Sequence, residues 1–125
     1  MSLEKKQLEK ELFIFLKNTL EKLEILEGLS MATKDIKTVI TIIEESENSA
    51  EAKSKLIKNF FFSEKQANSV LEMPLKKITN LERNQINDDI KNLQNKKNYY
   101  EKLLNERKLL LKLLMEEILI LHINF

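Results

Sequence analysis

Residues 61–83, FFSEKQANSVLEMPLKKITNLER, decide the fold. They contain two helix starts in close succession. Ser63 with Gln66 has the spacing of a capping box, in which the hydroxyl accepts from a first-turn backbone N–H and the amide reaches back to the cap residue. Thr79 with Glu82 repeats it. Between the two caps, Ala67, Val70, Leu71, Leu75 and Ile78 recur at helical spacing. Pro74 interrupts this run. It cannot donate to the Val70 carbonyl, and its ring clashes with that carbonyl inside a helix, so the first helix is predicted to kink or end there. Leu75 and Ile78 then form a separate short turn leading into the Thr79 cap.

Outward from this stretch the chain reads as helix throughout. One Gly and one Pro in 125 residues leave little to build the turns of a sheet protein. The 33% charged and 42% hydrophobic composition fits amphipathic helices and coiled coils. A first helix is predicted over about 3–33, with Leu8, Leu12, Leu16, Leu20, Leu23 and Leu26 as its apolar stripe. Gly28 lies inside it, either as a tolerated helix glycine or as a point where another backbone, that of the returning helix, comes close. A second helix over about 37–46 points Val39, Ile40 and Ile43 inward. Glu47-Asn48 is the connection, Ser49 is the expected cap of a third helix over about 50–59, and Phe60, Phe61 and Phe62 are expected as core between helices. After Thr79, Ile86, Ile90, Leu93, Lys97, Tyr100 and Leu104 alternate steps of four and three, a heptad seam with one Lys in it. The pattern continues through Arg107 to Leu111, Leu114, Ile118 and Leu121.

Two long stripes joined by a compact insert pair most simply as antiparallel helices. The fold class is therefore all-α: a long antiparallel coiled-coil arm capped by a small helical globule. Residues 1–35 are the outgoing helix, 36–79 the globule and 80–125 the returning helix. A helix of 30 residues spans about 45 Å, so the expected shape is a rod with a knob at its far end.

Several kinds of chemistry are excluded. With no Cys and one His, there is no disulfide, no thiolate nucleophile and no usual zinc site. Asp88-Asp89 and Glu116-Glu117 are neighbours on a helix, pointing about 100° apart, and read as solvated faces. One Gly cannot make a phosphate loop. The net charge of +1 lacks the clustered excess that phosphate binding requires, and Lys5-Lys6 and Lys96-Lys97 read as exposed helix charge. The N-terminus has no apolar segment followed by small residues, so no signal peptide is read there. The apolar stretch 109–125 is interrupted by Lys112, Glu116, Glu117 and His122, which argues against a membrane span.

Three blocks resemble one family in its own order. Phe62-Ser63, Gln66-Ala67, Val70-Leu71-Glu72-Met73, Leu75, Ile78-Thr79 and Leu81-Glu82 are similar to the signature LSxxQAxAILxMRLxxLTxLE of the A subunit of bacterial DNA gyrase and topoisomerase IV. Residues 23–29, LEILEGL, with Ala32 resemble its LHILEGLxxA. Ile36, Val39, Ile40, Ile43 and Ser46 fit IDxVIxxIRxS, and residues 50–56 fit AxxxL. Pro74 stands where the signature has Arg, and Asn80 where Gly is common.

The resemblance implies a piece of a much larger type II DNA topoisomerase. The family's catalytic tyrosine lies in an upstream winged-helix domain. Tyr99 and Tyr100 lack its surroundings and sit mid-helix, so no catalytic residue is assigned here. What the resemblance assigns to this piece is the DNA exit gate, two knobs on coiled-coil arms meeting across a two-fold axis. The candidate gate region is Phe62, Gln66, Val70, Leu71, Met73, Pro74 and Leu75, with Ser63 and Thr79 as helix caps. The implied partners are a second copy, double-stranded DNA and the ATPase B subunit, with no membrane. ATP and Mg2+ are implied for the full complex and no cofactor for this piece. The implied location is a bacterial cytoplasm and nucleoid, or a plastid-type organelle. The family also places a short break in the returning helix near Asn105, against the alternative of a helix running straight through. The competing reading is a tethering coiled-coil homodimer without a nucleic-acid role, which needs no knob.

Overall fold

The computed structural model describes residues 3–124, and the fold is all-α. Five α-helices and one 3-10 turn follow in order: α1 Leu3–Lys34, α2 Ile36–Glu45, α3 Ser49–Phe60, α4 Glu64–Glu72, the 3-10 turn Leu75–Lys77, and α5 Asn80–Asn124. The chain divides into two units, Leu20–Gln94 and a second made of residues 3–19 and 95–124, so that α1 and α5 contribute to both.

The Leu20–Gln94 unit holds the core. Ala32, Val39, Leu56, Phe62, Ala67, Val70 and Leu75 form one buried cluster, with Leu29, Ile40, Ile43, Ile57 and Ile78 packed against it. Each short helix is delimited by local chemistry. At Asp35 the backbone leaves helical geometry (φ −132°, ψ 53°), and α2 starts on the next residue. The Asn48 side chain caps α3 by accepting from Glu51 N–H at 2.8 Å. The cap is therefore Asn48, not Ser49; Ser49 already has helical geometry as the first residue of α3. Asn48→Ala should cost about 1 kcal/mol, measured by urea denaturation, with Ser49→Ala near neutral. Glu51 closes the same start. Its carboxylate accepts from Glu47 N–H at 2.9 Å and pairs with Lys55 at 2.9 Å. These partners, the Glu47 N–H first, hold its pKa below the ordinary carboxylate value. A depressed carboxylate contributes stability at neutral pH that is lost as pH falls through its lowered pKa. The Glu51 side chain keeps 36% of its exposure, and solvent screening keeps that contribution small.

The aromatic triplet splits. Phe62 is buried and stacks on half-buried Phe60 with ring centroids 5.0 Å apart. Phe61 is 91% exposed and takes left-handed geometry (φ 57°, ψ 32°) as the α3 C-cap. The expectation of core thus fails at Phe61: α3 ends at Phe60, and the left-handed residue that reverses the chain turns its side chain outward. Left-handed geometry costs a residue with a Cβ roughly 1–2 kcal/mol. Phe61→Gly should therefore raise stability by about 1 kcal/mol, read as a higher Tm.

Both capping boxes form. Ser63 Oγ accepts from Gln66 N–H at 3.2 Å while Gln66 Oε1 accepts from Ser63 N–H at 2.9 Å. Thr79 Oγ1 accepts from Glu82 N–H at 3.4 Å, and Glu82 Oε2 from Thr79 N–H at 2.9 Å. Pro74 ends α4 as predicted, though earlier in the chain than its own position. The last helical residue is Glu72, and Met73 is extended (φ −76°, ψ 134°), the geometry that a following proline favours. Met73 N–H supplies the Val70 carbonyl at 3.2 Å. The helix-interior penalty of proline is thereby avoided, and Leu75–Lys77 forms the separate turn.

Along α5 the seam faces inward. Ile86 is buried, Ile90, Leu93, Lys97, Tyr100 and Leu104 are half-buried, and most residues between them are exposed. In the unit of residues 3–19 and 95–124, Tyr100 stacks on Phe15 at 6.0 Å and Tyr99 is exposed. The break expected near Asn105 is not there: α5 is continuous through Asn105 and Glu106. Both residues tolerate a helix interior, and no Gly or Pro follows to end it. On α1 the inward line is Leu12, Leu16, Thr19, Leu23, Leu26, Ser30 and Thr33, with Leu8 and Leu20 exposed. Thr19, Ser30 and Thr33 are buried polar residues, each satisfied. Thr19 donates to Phe15 C=O at 2.8 Å, Thr33 to Ser30 C=O at 2.9 Å, and Ser30 to Asn87 Oδ1 at 3.2 Å.

Candidate functional site

The residues singled out around α4 divide into a buried set and an accessible set. Val70 is fully buried, Phe62 is 4% exposed and Leu75 6%. Val70 and Phe62 face the core of their own chain, and Leu75, a member of the same core cluster, also lines the cleft beside it. Leu71 and Met73 are half-buried and Pro74 is exposed. These three form one wall of an open cleft of about 360 Å³ between the end of α4 and α2. Ile40 and Ile43 of α2 form the opposite wall. The rim is charged on both sides. Glu44 stands at the end of α2, Lys76 and Lys77 lie in the 3-10 turn, and Lys76 Nζ meets Glu44 Oε1 at 3.0 Å across the mouth. Both partners of this pair are solvent-exposed, so it contributes little to stability. The arrangement is an apolar surface with a rim of both signs.

Ile40, Ile43, Glu44 and Lys76 were not legible as part of this surface. A signal was available: α2 carries Ile36, Val39, Ile40, Ile42 and Ile43 within ten residues, more apolar positions than a single buried face uses.

Gln66 has a different position. Besides closing the α4 cap, its Nε2 donates to Glu24 C=O of α1 at 2.7 Å. A Cβ on Gly28 would lie 2.8 Å from Gln66 Cγ. Gly28 is thus a close-approach glycine, but the neighbour is a side chain of α4 and not the backbone of the returning helix.

No cluster of three or more His, Cys, Asp or Glu occurs among the described residues. No described helix is long and apolar enough to cross a membrane.

The family of the DNA gyrase/topoisomerase IV A subunit matches residues 1–119. The chain is 41% identical over 97 residues to the DNA gyrase A subunit of Brachyspira hyodysenteriae, covering 78% of this chain and 12% of that protein. It is 39% identical over 110 residues to the DNA gyrase A subunit of Borrelia hermsii, covering 88% and 14%. It is 36% identical over 102 residues to an Oryza sativa protein described as a probable chloroplastic/mitochondrial DNA gyrase A subunit, covering 82% and 11%. The chain belongs to the family of DNA gyrase/topoisomerase IV A subunits. It spans about an eighth of the length of these relatives.

Proposed function

We propose that this chain is the part of a type II DNA topoisomerase A subunit that forms the homodimeric exit gate for a transported duplex. The observation that carries the reading is the cleft of Ile40, Ile43, Leu71, Met73 and Pro74 with its mixed-charge rim, lying within the stretch that bears the family signature. An isologous contact pairs a patch with itself across a two-fold axis. Glu44 and Lys77 on one rim suit this, because each patch presents both signs to its copy. A small apolar patch with a polar rim resembles the centre of a reversible interface. It closes when two copies meet and opens without prohibitive cost, as an exit for DNA requires.

The chain's role in this reading is mechanical. DNA cleavage, Mg2+ and ATP hydrolysis belong to other parts of the protein and to the B subunit. The part outside this chain also accounts for α5 near its end, where Met115, Ile118, Leu119, Ile120 and Leu121 are all more than half exposed. Apolar residues on every face suit a helix that is buried in a larger protein. The reading puts the work in a bacterium or a plant organelle, supported by relatives from bacteria and a probable chloroplastic/mitochondrial relative from a plant.

The test uses the full-length protein reconstituted with its B subunit. Met73→Lys should reduce ATP-dependent strand passage at least tenfold while leaving covalent DNA cleavage intact. Unchanged strand passage, or loss of both activities together, contradicts the gate.

A further inference from the structure

Gln66 serves two helices at once. Its Oε1 completes the α4 cap on Ser63 N–H at 2.9 Å, and its Nε2 donates to Glu24 C=O of α1 at 2.7 Å. In an α-helix the carbonyl of residue 24 already receives the N–H of residue 28. The added hydrogen bond therefore falls on the turn that Gly28 closes. The Gln66 stem occupies the space a side chain at 28 would fill, with Cγ at 2.8 Å and Cβ at 2.9 Å from an added Cβ. Among the described residues α4 and α1 are also joined by the exposed Lys65–Glu21 pair at 4.0 Å, which is weak at that distance and exposure. The opposite end of α4 carries Leu71 and leads to Met73 and Pro74, one wall of the cleft.

We propose that Gln66 is a positioning residue for self-association: a latch that seats α4 on the Glu24–Gly28 turn of α1 and so holds the Leu71–Met73–Pro74 wall in place for a second copy. Its functional half rests on the gate reading. The two roles of the side chain are separable. Glu at the third helical position is an ordinary capping-box partner, so Gln66→Glu keeps the cap. It removes the donor to Glu24 C=O and sets a negative charge against that oxygen.

The experiment measures the 125-residue chain by sedimentation equilibrium, circular dichroism and amide hydrogen exchange. Gln66→Glu should weaken self-association at least tenfold with helical content unchanged, and should speed exchange across α4 at least tenfold. Gly28→Ala should lower Tm in the parent chain, where it meets the Gln66 stem. In a Gln66→Gly background, relative to that background alone, the same change should be neutral or stabilising, because both the Cβ and the Cγ that obstruct it are gone and Ala favours the helix. That reversal of sign does not arise from two independent packing defects. Unchanged association in Gln66→Glu overturns the positioning role, and equal damage from Gly28→Ala in both backgrounds overturns the latch. A parent chain that stays monomeric overturns the gate and the positioning role together. The latch is then decided by exchange alone, where unchanged rates across α4 overturn it.

Discussion

Leu56→Ala should lower the stability of the Leu20–Gln94 unit by about 3 kcal/mol. Leu56 is fully buried, among the largest such side chains in the chain, and it sits in the cluster that joins α1, α2, α3 and α4. Truncating it loses the transfer of its apolar atoms and leaves a cavity that surrounding helices close only in part. Small domains are stable by roughly 5–15 kcal/mol in total, so a loss of this size shifts a urea midpoint far. Ser54→Ala, two residues away on the exposed face of α3, should leave it unchanged. A change below about 1 kcal/mol for Leu56→Ala would show that the cluster is not the core of the unit.

Met73→Lys should separate association from folding. Met73 is the C-cap of α4, and its N–H keeps its bond to the Val70 carbonyl whatever the side chain is. A cation at a helix C-terminus is favourable by a few tenths of a kcal/mol, and the Lys stem can lie along the wall with its ammonium in water. Met73 also packs against the core cluster, so the folded chain should lose about 1 kcal/mol, less than the loss of association. Association is another matter. Two copies of the ammonium would be brought into an apolar contact close to their two-fold axis and desolvated without partners. Self-association should weaken at least 100-fold, about 2.7 kcal/mol. Equal association of parent and variant would place the contact elsewhere on the surface.

The legible parts of the fold were those governed by local chemistry. Ser63–Gln66 and Thr79–Glu82 announce helix starts through side chains that reach three residues, and Pro74 ends α4 through the extended geometry it imposes on Met73. The heptad on α5 is read because one face of a long helix repeats its neighbour's environment. The failures arose where two segments distant in sequence meet. Thr19, Ser30 and Thr33 hold inward positions on α1 that an apolar count passes over, since polar burial depends on an acceptor such as Phe15 C=O or Asn87 Oδ1. Gly28 signalled a close approach, yet the residue that approaches it is 38 positions further on. At 48 and 49, two adjacent residues are both good caps, and the geometry of the turn chose Asn48. The candidate surface was half legible. Leu71, Met73 and Pro74 do lie together. Phe62 and Val70 share their helical spacing but turn to the core, while Leu75 belongs to the core and also lines the cleft; periodicity alone does not say which side of a helix is covered by its own chain.

In the proposed gate, two copies of this chain meet through the globule. Sedimentation equilibrium of the parent chain across the micromolar range, in parallel with Met73→Lys, tests it most directly. The parent should shift from monomer to dimer and no further as concentration rises, and the variant should stay monomeric over the same range. A parent that is monomeric at every concentration, or a dimer that survives Met73→Lys unchanged, would contradict it.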